Sequence, residues 1–307
     1  MAVDTTSEAL KAARAGWTRG FAAAYRDTTV WYPMISTSVS SSGPQNTYTW
    51  AMASTGMRKW LGERVAQTLA SASYALVNEE WELTVEINRN DFDDDNLGVH
   101  DMWIAQNAQQ SRRHKDTLAA SLLKNGHATL CFDGQNFYDT DHPVAQNDST
   151  YGTYINHFGS TALASAGFRT VRQAMLERKG EANQPLRVNP NLCQVPPALE
   201  GPAEDLFLAQ YLAAGGSNQD RGKADILVTP ELAGDATEDG TWYLHDTTTV
   251  IKPLVDQNRR ALAINAIADP SSERVFMNGV YTLAIDARYN MGYTLPFLSS
   301  KAQAAAL

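Results

Sequence analysis

The most constraining feature of this chain is a long helical pattern that opens on a run of acids and closes on Asn125-Gly126. Residues 91–98 read DFDDDNLG, so Asp91, Asp93, Asp94 and Asp95 stand before the pattern. Carboxylates suit a helix N-terminus, where they face unpaired N–H groups and the positive end of the macrodipole. Asn125-Gly126, after Leu122, Leu123 and Lys124, is a C-terminal stop, because glycine enters the left-handed region at little cost. The interval predicts a helix of roughly 25 to 28 residues, about 40 Å long. Its apolar residues gather at the two ends: Val99, Met102, Trp103 and Ile104 at one, Leu118, Ala119, Leu122 and Leu123 at the other. The stretch 106–116 between them is polar. That pattern predicts a strut, buried at both ends and wet in the middle, spanning a thin molecule.

Around the strut the pattern is mixed. Thr5 and Glu8 have capping-box spacing, and Leu10, Ala13, Trp17, Phe21 and Ala24 recur at helical spacing after them. The residues leave open whether this helix packs on its own domain or reaches a neighbouring subunit. Residues 35–45 (ISTSVSSSGPQ) read as a linker or extended segment, and 48–52 as a short strand. Residues 56–70 read as a helix, with Arg58, Lys59, Glu63 and Arg64 on its charged side and Trp60 on its apolar side. Trp81, Leu83, Val85 and Ile87 alternate with Glu82, Thr84 and Glu86, the signature of a half-buried strand. After the strut come an irregular stretch at 151–159, helices over 163–178 and 202–213, and an extended piece at 187–195. Short strands at 225–229 and 242–245 flank an acidic turn at 235–240, and further strands cover 250–267 and 275–293. Strands and helices alternate without a repeating βαβ unit, so the fold class is α+β.

Composition excludes several classes. With 43% hydrophobic and 19% charged residues, the chain is globular rather than disordered. No apolar run approaches the roughly 18 residues needed to cross a bilayer. The opening MAVDTTSEAL has neither the basic region nor the apolar core of a secretory signal. Cys131 and Cys193 show no metal spacing and are expected to be free thiols of a reducing cytoplasm. A net charge of −9 argues against broad electrostatic attachment to nucleic acid.

Four phrases carry a resemblance: GMRKWLGERV at 56–65, DFDDDNLG at 91–98, DGQNFYDTDHPV at 133–144 and DPSSERVFMNGVYTLAIDARYNMGY at 269–293. In order and in wording they resemble the major head (capsid) subunit of Mu-like phages and prophages, the gpT family. The resemblance implies a Hong Kong 97-type capsid fold. Its parts would be an N-terminal arm (1–45), an extended-loop region (46–90), a peripheral domain holding the spine helix (91–126 and 247–288) and an axial domain (127–246 and 289–307). It implies self-assembly as pentamers and hexamers into an icosahedral head around double-stranded DNA. An acidic inner wall would not trap such a genome. Implied partners are further copies of the chain, a scaffold and protease system, a portal and a decoration protein. The implied location is the virion, with assembly in the host cytoplasm. Trp17, Phe21, Arg58, Lys59, Trp60, Glu63, Arg64, Glu82 and Glu86 are then the candidates for contact between subunits. Some shells of this fold class are crosslinked through a lysine of the extended loop; residues 71–90 contain none, and no such crosslink is expected here.

An enzymatic reading rests on Asp133, Asp139, Asp141 and His142, whose carboxylates and imidazole would suit a divalent cation in a metal-dependent hydrolase. The competing reading is a loop, with Asp accepting local N–H groups and Pro143 ending it. The acids at 91–95 fail the calcium-loop pattern, having Asn96 where glycine is required and Met102 where glutamate is. No nucleophile elbow, zinc-binding helix, phosphate loop or dinucleotide phrase occurs. The sequence therefore predicts a structural protein without cofactor or metal.

Overall fold

The structure, a computed structural model, describes residues 7–51, 71–94, 98–145, 149–180, 183–211, 216–267 and 272–304. The first helix, α1 (Ser7–Asp27), and the one-turn α2 (Tyr32–Ile35) lead into β1 (Ser36–Ser40), so the Ser/Thr-rich stretch is extended. β2 (Gln45–Ala51) and β3 (Ser71–Val77) pair antiparallel, and the loop region leaves and returns as two strands. The helix expected over 56–70 lies outside the described residues, with Arg58, Lys59, Trp60, Glu63 and Arg64. β4 (Glu79–Asn88) alternates as its sequence does, with Val85 and Ile87 buried and Glu82, Thr84 and Glu86 exposed.

The strut is α4 (Val99–Asn125), 27 residues long, and it differs from its sequence reading in three ways. Asp91 lies in the first turn of a separate short helix, α3 (Arg89–Asp93), while α4 itself starts at Gly98, with φ 68° and no side-chain cap. Gly126 at the other end is right-handed, with φ −59°. Its glycine serves close packing, since a Cβ there would come 2.6 Å from Cδ2 of Tyr138. The middle is not wet. Lys115 and Asp116 are buried, because the sheet and the α1–α2 connection supply partners: Lys115 Nζ meets Asp256, and Asp116 accepts the N–H groups of Trp31 and Tyr32.

Beyond the spine the chain forms the short strands β5 (His142–Pro143), β6 (Thr153–Tyr154) and β7 (His157–Phe158), then α5 (Ser165–Leu176) and β8 (Leu192–Val195). α6 (Glu200–Phe207) stops six residues before its expected end. The Asn218 amide donates to the carbonyls of Asp205, Leu206 and Ala209, which satisfies that end of the helix. After β9 (Asp225–Val228) the acidic turn is a single helical turn, α7 (Ala236–Asp239), whose Thr237 and Glu238 N–H groups donate to Asp235. β10 (Thr241–His245) follows.

The last third is a long hairpin, β11 (Leu254–Ile267) and β12 (Val280–Tyr293), then β13 (Ser299–Gln303). The start of the expected 275–293 strand is instead helical, as α8 (Glu273–Asn278). Ser272 accepts from Val275 N–H, and Gly279, with φ 63°, ends the helix.

Two sheets result. One is four-stranded, in the order β1-β11-β12-β4; the other is five-stranded, in the order β7-β13-β10-β8-β9. On β12 the odd-numbered residues Leu283, Ile285, Ala287, Tyr289 and Met291 are buried while the even ones between them are half-buried. A period of two points one set of side chains to each face. The buried face packs under α1 and the first half of α4 in a core of Trp17, Phe21, Val85, Ile87, Ile104, Ala108, Leu283 and Ile285. The larger core surrounds the five-stranded sheet and takes in Ala119, Ala120 and Leu123 from the other end of the spine. Among the described residues the spine reaches both cores, through Ile104 and Ala108 on one side and Ala119, Ala120 and Leu123 on the other. A fourth difference from its sequence reading is that Val99, Met102 and Trp103, expected to bury its first end, are exposed.

Candidate assembly surfaces

The candidate interface residues divide into three groups. Trp17 and Phe21 are 4% and 0% exposed and hold α1 to its own spine, so neither is presented to a neighbouring copy in this conformation. Glu82 and Glu86 lie on the uncovered face of the four-stranded sheet. Glu82 accepts a hydrogen bond from Thr84 at 2.6 Å, and Glu86 pairs with Arg274 of α8. The third group, at 58–64, lies outside the described residues.

The uncovered face carries further ion pairs, Arg260–Asp286 at 2.6 Å and Arg288–Glu80 at 3.8 Å. Exposed pairs of this kind add little stability but fix the sign of charge a partner meets.

Sequence reasoning missed the apolar end of this sheet. Phe276 and Met277 on α8 are 80% and 71% exposed, and Ile267 at the end of β11 is also exposed. Val99, Met102 and Trp103 stand exposed at the start of the spine. The two groups share one end of the molecule: Arg89 N–H donates to the Gly279 carbonyl, and His100 of the spine reaches the Asp91 backbone. The missed signal was the phrase VFMN, apolar residues with no alternating partner. It reads as the start of a strand but forms a helix that buries Val275 and leaves its neighbours in water.

The extended hairpin is tied down at its base. Tyr48 Oη donates to the Gln257 side chain at 2.7 Å, and Gln257 Nε2 donates to the Leu76 carbonyl and the Asn78 side chain. Its far end, beyond Ala51 and before Ser71, lies outside the described residues.

The hydrolase alternative finds no support. His142 and Asp133 form a sealed pair, Nδ1 to Oδ2 2.6 Å, with neither side chain exposed. Asp139 accepts N–H groups from Asn136 and Thr140, as a loop aspartate does, and these bonds hold its carboxyl below the usual range. Among the described residues no three metal-ligating side chains gather. Cys131 and Cys193 are free and buried, and burial pushes both thiols well above their ordinary range.

Comparison with known proteins agrees with this arrangement. A Mu-like prophage FluMu major head subunit of Haemophilus influenzae is 28% identical over 290 residues, 94% of this chain and 71% of that protein. The major capsid protein of Escherichia phage Mu is 34% identical over 151 residues, 49% of this chain and 50% of that one. Among solved structures, a subunit of the procapsid of bacteriophage JBD30 superimposes with a TM-score of 0.63 at 24% identity, covering 98% of this chain and 77% of that one. A subunit of the bacteriophage JBD30 capsid gives 0.54 at 26% identity over 66% of this chain and 90% of that one. The mature capsid of bacteriophage PhiM1 gives 0.59 at 13% identity over 91% and 88%, a likeness of fold. The sequence profile of the Mu-like prophage major head subunit gpT matches residues 10–164, 158–232 and 233–306, and the chain belongs to that family of phage capsid subunits, structural proteins rather than enzymes.

Proposed function

We propose that copies of this chain join as pentamers and hexamers and close an icosahedral head around double-stranded DNA. The observation that carries the reading is the apolar apex: a subunit with two satisfied cores leaves Phe276, Met277, Met102 and Trp103 in water at one end. Patches of that kind mark contact with other proteins. The occupant is a second copy, since the relatives and structural neighbours are shell subunits.

In this reading the spine with β11 and most of β12 forms the peripheral domain, 91–126 and 247–288, whose sheet is completed by β1 from the arm and β4 from the extended-loop region, and the five-stranded sheet anchors the axial domain, 127–246 and 289–307. The sheet memberships of β11 and β13 support the division, although β12 continues as one strand to Tyr293. The extended hairpin, rooted on Gln257, supplies an adaptable contact between copies. Trp17 and Phe21 fasten α1 to the spine, so any contact made by α1 uses its opposite side, Arg19, Ala22 and Arg26, which is exposed.

Further partners are a scaffold and protease system, a portal and packaged DNA met without sequence specificity. A decoration protein is included because a related capsid is described as decorated with minor capsid protein trimers. Assembly takes place in the host cytoplasm. The test is the double variant Phe276→Ser, Met277→Ser. It should keep the thermal unfolding of the subunit and lose its large assemblies in sedimentation velocity. Normal assembly by that variant would remove the apex from the contact.

A further inference from the structure

Lys115 projects from the middle of the spine into the four-stranded sheet and is 7% exposed. Its Nζ lies 2.7 Å from Oδ1 of Asp256 and 2.5 Å from Oδ1 of Asn258. Asp256 and Asn258 are two apart on β11 and so share one face of the strand. The second oxygen of Asp256, Oδ2, accepts from Asn258 Nδ2 at 2.8 Å. Ser38 Oγ accepts from the same Nδ2 at 3.0 Å and helps to fix the amide's orientation. One carboxylate therefore touches both the amine and the nitrogen of the amide whose carbonyl the amine faces. The rings of Tyr32 and Tyr289 flank Nζ, their centroids 5.4 and 4.7 Å away. Burial in these surroundings pushes the Lys115 amine below its ordinary range, which favours the neutral nucleophile. An ion pair alone would need only the lysine and the carboxylate. The third group, an amide held on both its atoms, is what the chemistry below uses.

We propose that Lys115 and Asn258 form an isopeptide bond within the subunit, with Asp256 carrying the protons. Lys115 gives a proton to Asp256, and the neutral Nζ attacks Cγ of Asn258. Asp256 then delivers that proton to Nδ2 and takes the second proton from Nζ as the Cγ–Nδ2 bond breaks. The products are a secondary amide joining Nζ to Cγ and one molecule of ammonia, which leaves as ammonium with the proton last held by Asp256. No oxidant or cofactor enters the balance. The cavity of about 370 Å³ bounded by Tyr25, Arg112, Lys115, Asp256, Asn258 and Arg260 gives ammonia its way out. The bond staples the spine to β11 across 143 residues of sequence. It lies inside one subunit and is separate from any link between subunits through the extended loop.

The test is the intact mass of the purified, then denatured, chain, followed by tandem mass spectrometry of its digest. The expected mass is lower than that of the sequence by one ammonia, with the peptides carrying Lys115 and Asn258 joined. A full-sequence mass with both peptides separate would overturn the proposal. Asp256→Asn keeps the size of the side chain and should retain the ammonia while circular dichroism shows a folded subunit. Loss of ammonia in that variant would remove Asp256 from the reaction. Loss in Asn258→Ala would show that the ammonia comes from elsewhere and overturn the bond. If either variant fails to fold, the wild-type mass and digest decide alone.

Discussion

The two sheets follow different rules. Every residue of β8 and β10 in the five-stranded sheet is buried, and Trp242, Leu244 and Cys193 are wholly so. Strands covered on both faces read as near-continuous apolar runs. The four-stranded sheet is covered on both faces only near Val255 and Gln257, where the hairpin base lies on it; beyond that it keeps charged residues on an open face and ends in exposed Phe276 and Met277. The first region is finished within the subunit. In the proposed assembly the second is half a structure, whose open face and apex meet other copies. One chain thus combines a rigid anchor with a surface that can meet several neighbours.

Core truncation separates the two regions most strongly. Phe168, wholly buried and edge-on to Phe207 at 4.8 Å, has little room to relax around a lost ring. Phe168→Ala should cost about 3–5 kcal/mol in urea unfolding of the unassembled subunit. Ile104→Ala, in the thinner core beside the open apex, should cost about 2–3 kcal/mol, because its surroundings can close in. An Ile104→Ala cost equal to or above that of Phe168→Ala would break the comparison.

Acidity acts on the two regions with opposite sign. Burial pushes His245, beside β13, down to about 3 from 6.5. Its neutral form is the folded form, so its stabilisation is full above pH 6.5 and lost as pH falls toward 3. The loss by pH 4 is about 3 kcal/mol. Asp116 on the spine is pushed up by burial to about 6 from 3.8. The folded chain there prefers the protonated acid, so stability is full below pH 3.8 and declines as pH rises through 6, by at most about 3 kcal/mol and by less where solvent screens the carboxylate. The urea midpoint of His245→Gln relative to the wild type should rise as pH falls from 7 to 4, and that of Asp116→Asn relative to the wild type should rise as pH climbs from 4 to 7. The same pH trend in both would contradict the assignment.

A smaller effect sits at the joint. Gly126→Ala drives a methyl into the Tyr138 ring and should cost about 1–3 kcal/mol in the same unfolding assay. The smallest effect belongs to the apex. Phe276→Ser with Met277→Ser should change subunit stability by no more than about 0.5 kcal/mol, because both side chains are already in water. A larger drop would place them in the subunit core rather than at a contact.

Periodic elements were legible in the sequence where one face of an element meets a core. The spine from Val99 to Asn125 and the alternation of β4 follow directly from their apolar spacing. What stayed hidden depends on partners far along the chain. Lys115 and Asp116 look like a wet helix middle until Asp256, Asn258 and the Trp31 N–H arrive beside them. Gly126 looks like a left-handed stop until Tyr138 explains it. The apex stayed hidden because VFMN reads as the start of a strand, and nothing in its spacing marks Phe276 and Met277 as side chains left in water. Trp17 and Phe21 carry a pattern that fits either a neighbour or their own spine, and contact with the spine is a tertiary fact.

The central claim is that this subunit is unfinished alone and completes itself with copies. Negative-stain electron microscopy of the purified protein, alone and co-expressed with the phage's other head genes, tests it most directly over a range of concentration and salt. Rings of five and six, closed shells or polymorphic sheets are the predicted result. A uniform monomer or small oligomer under every one of those conditions would contradict it.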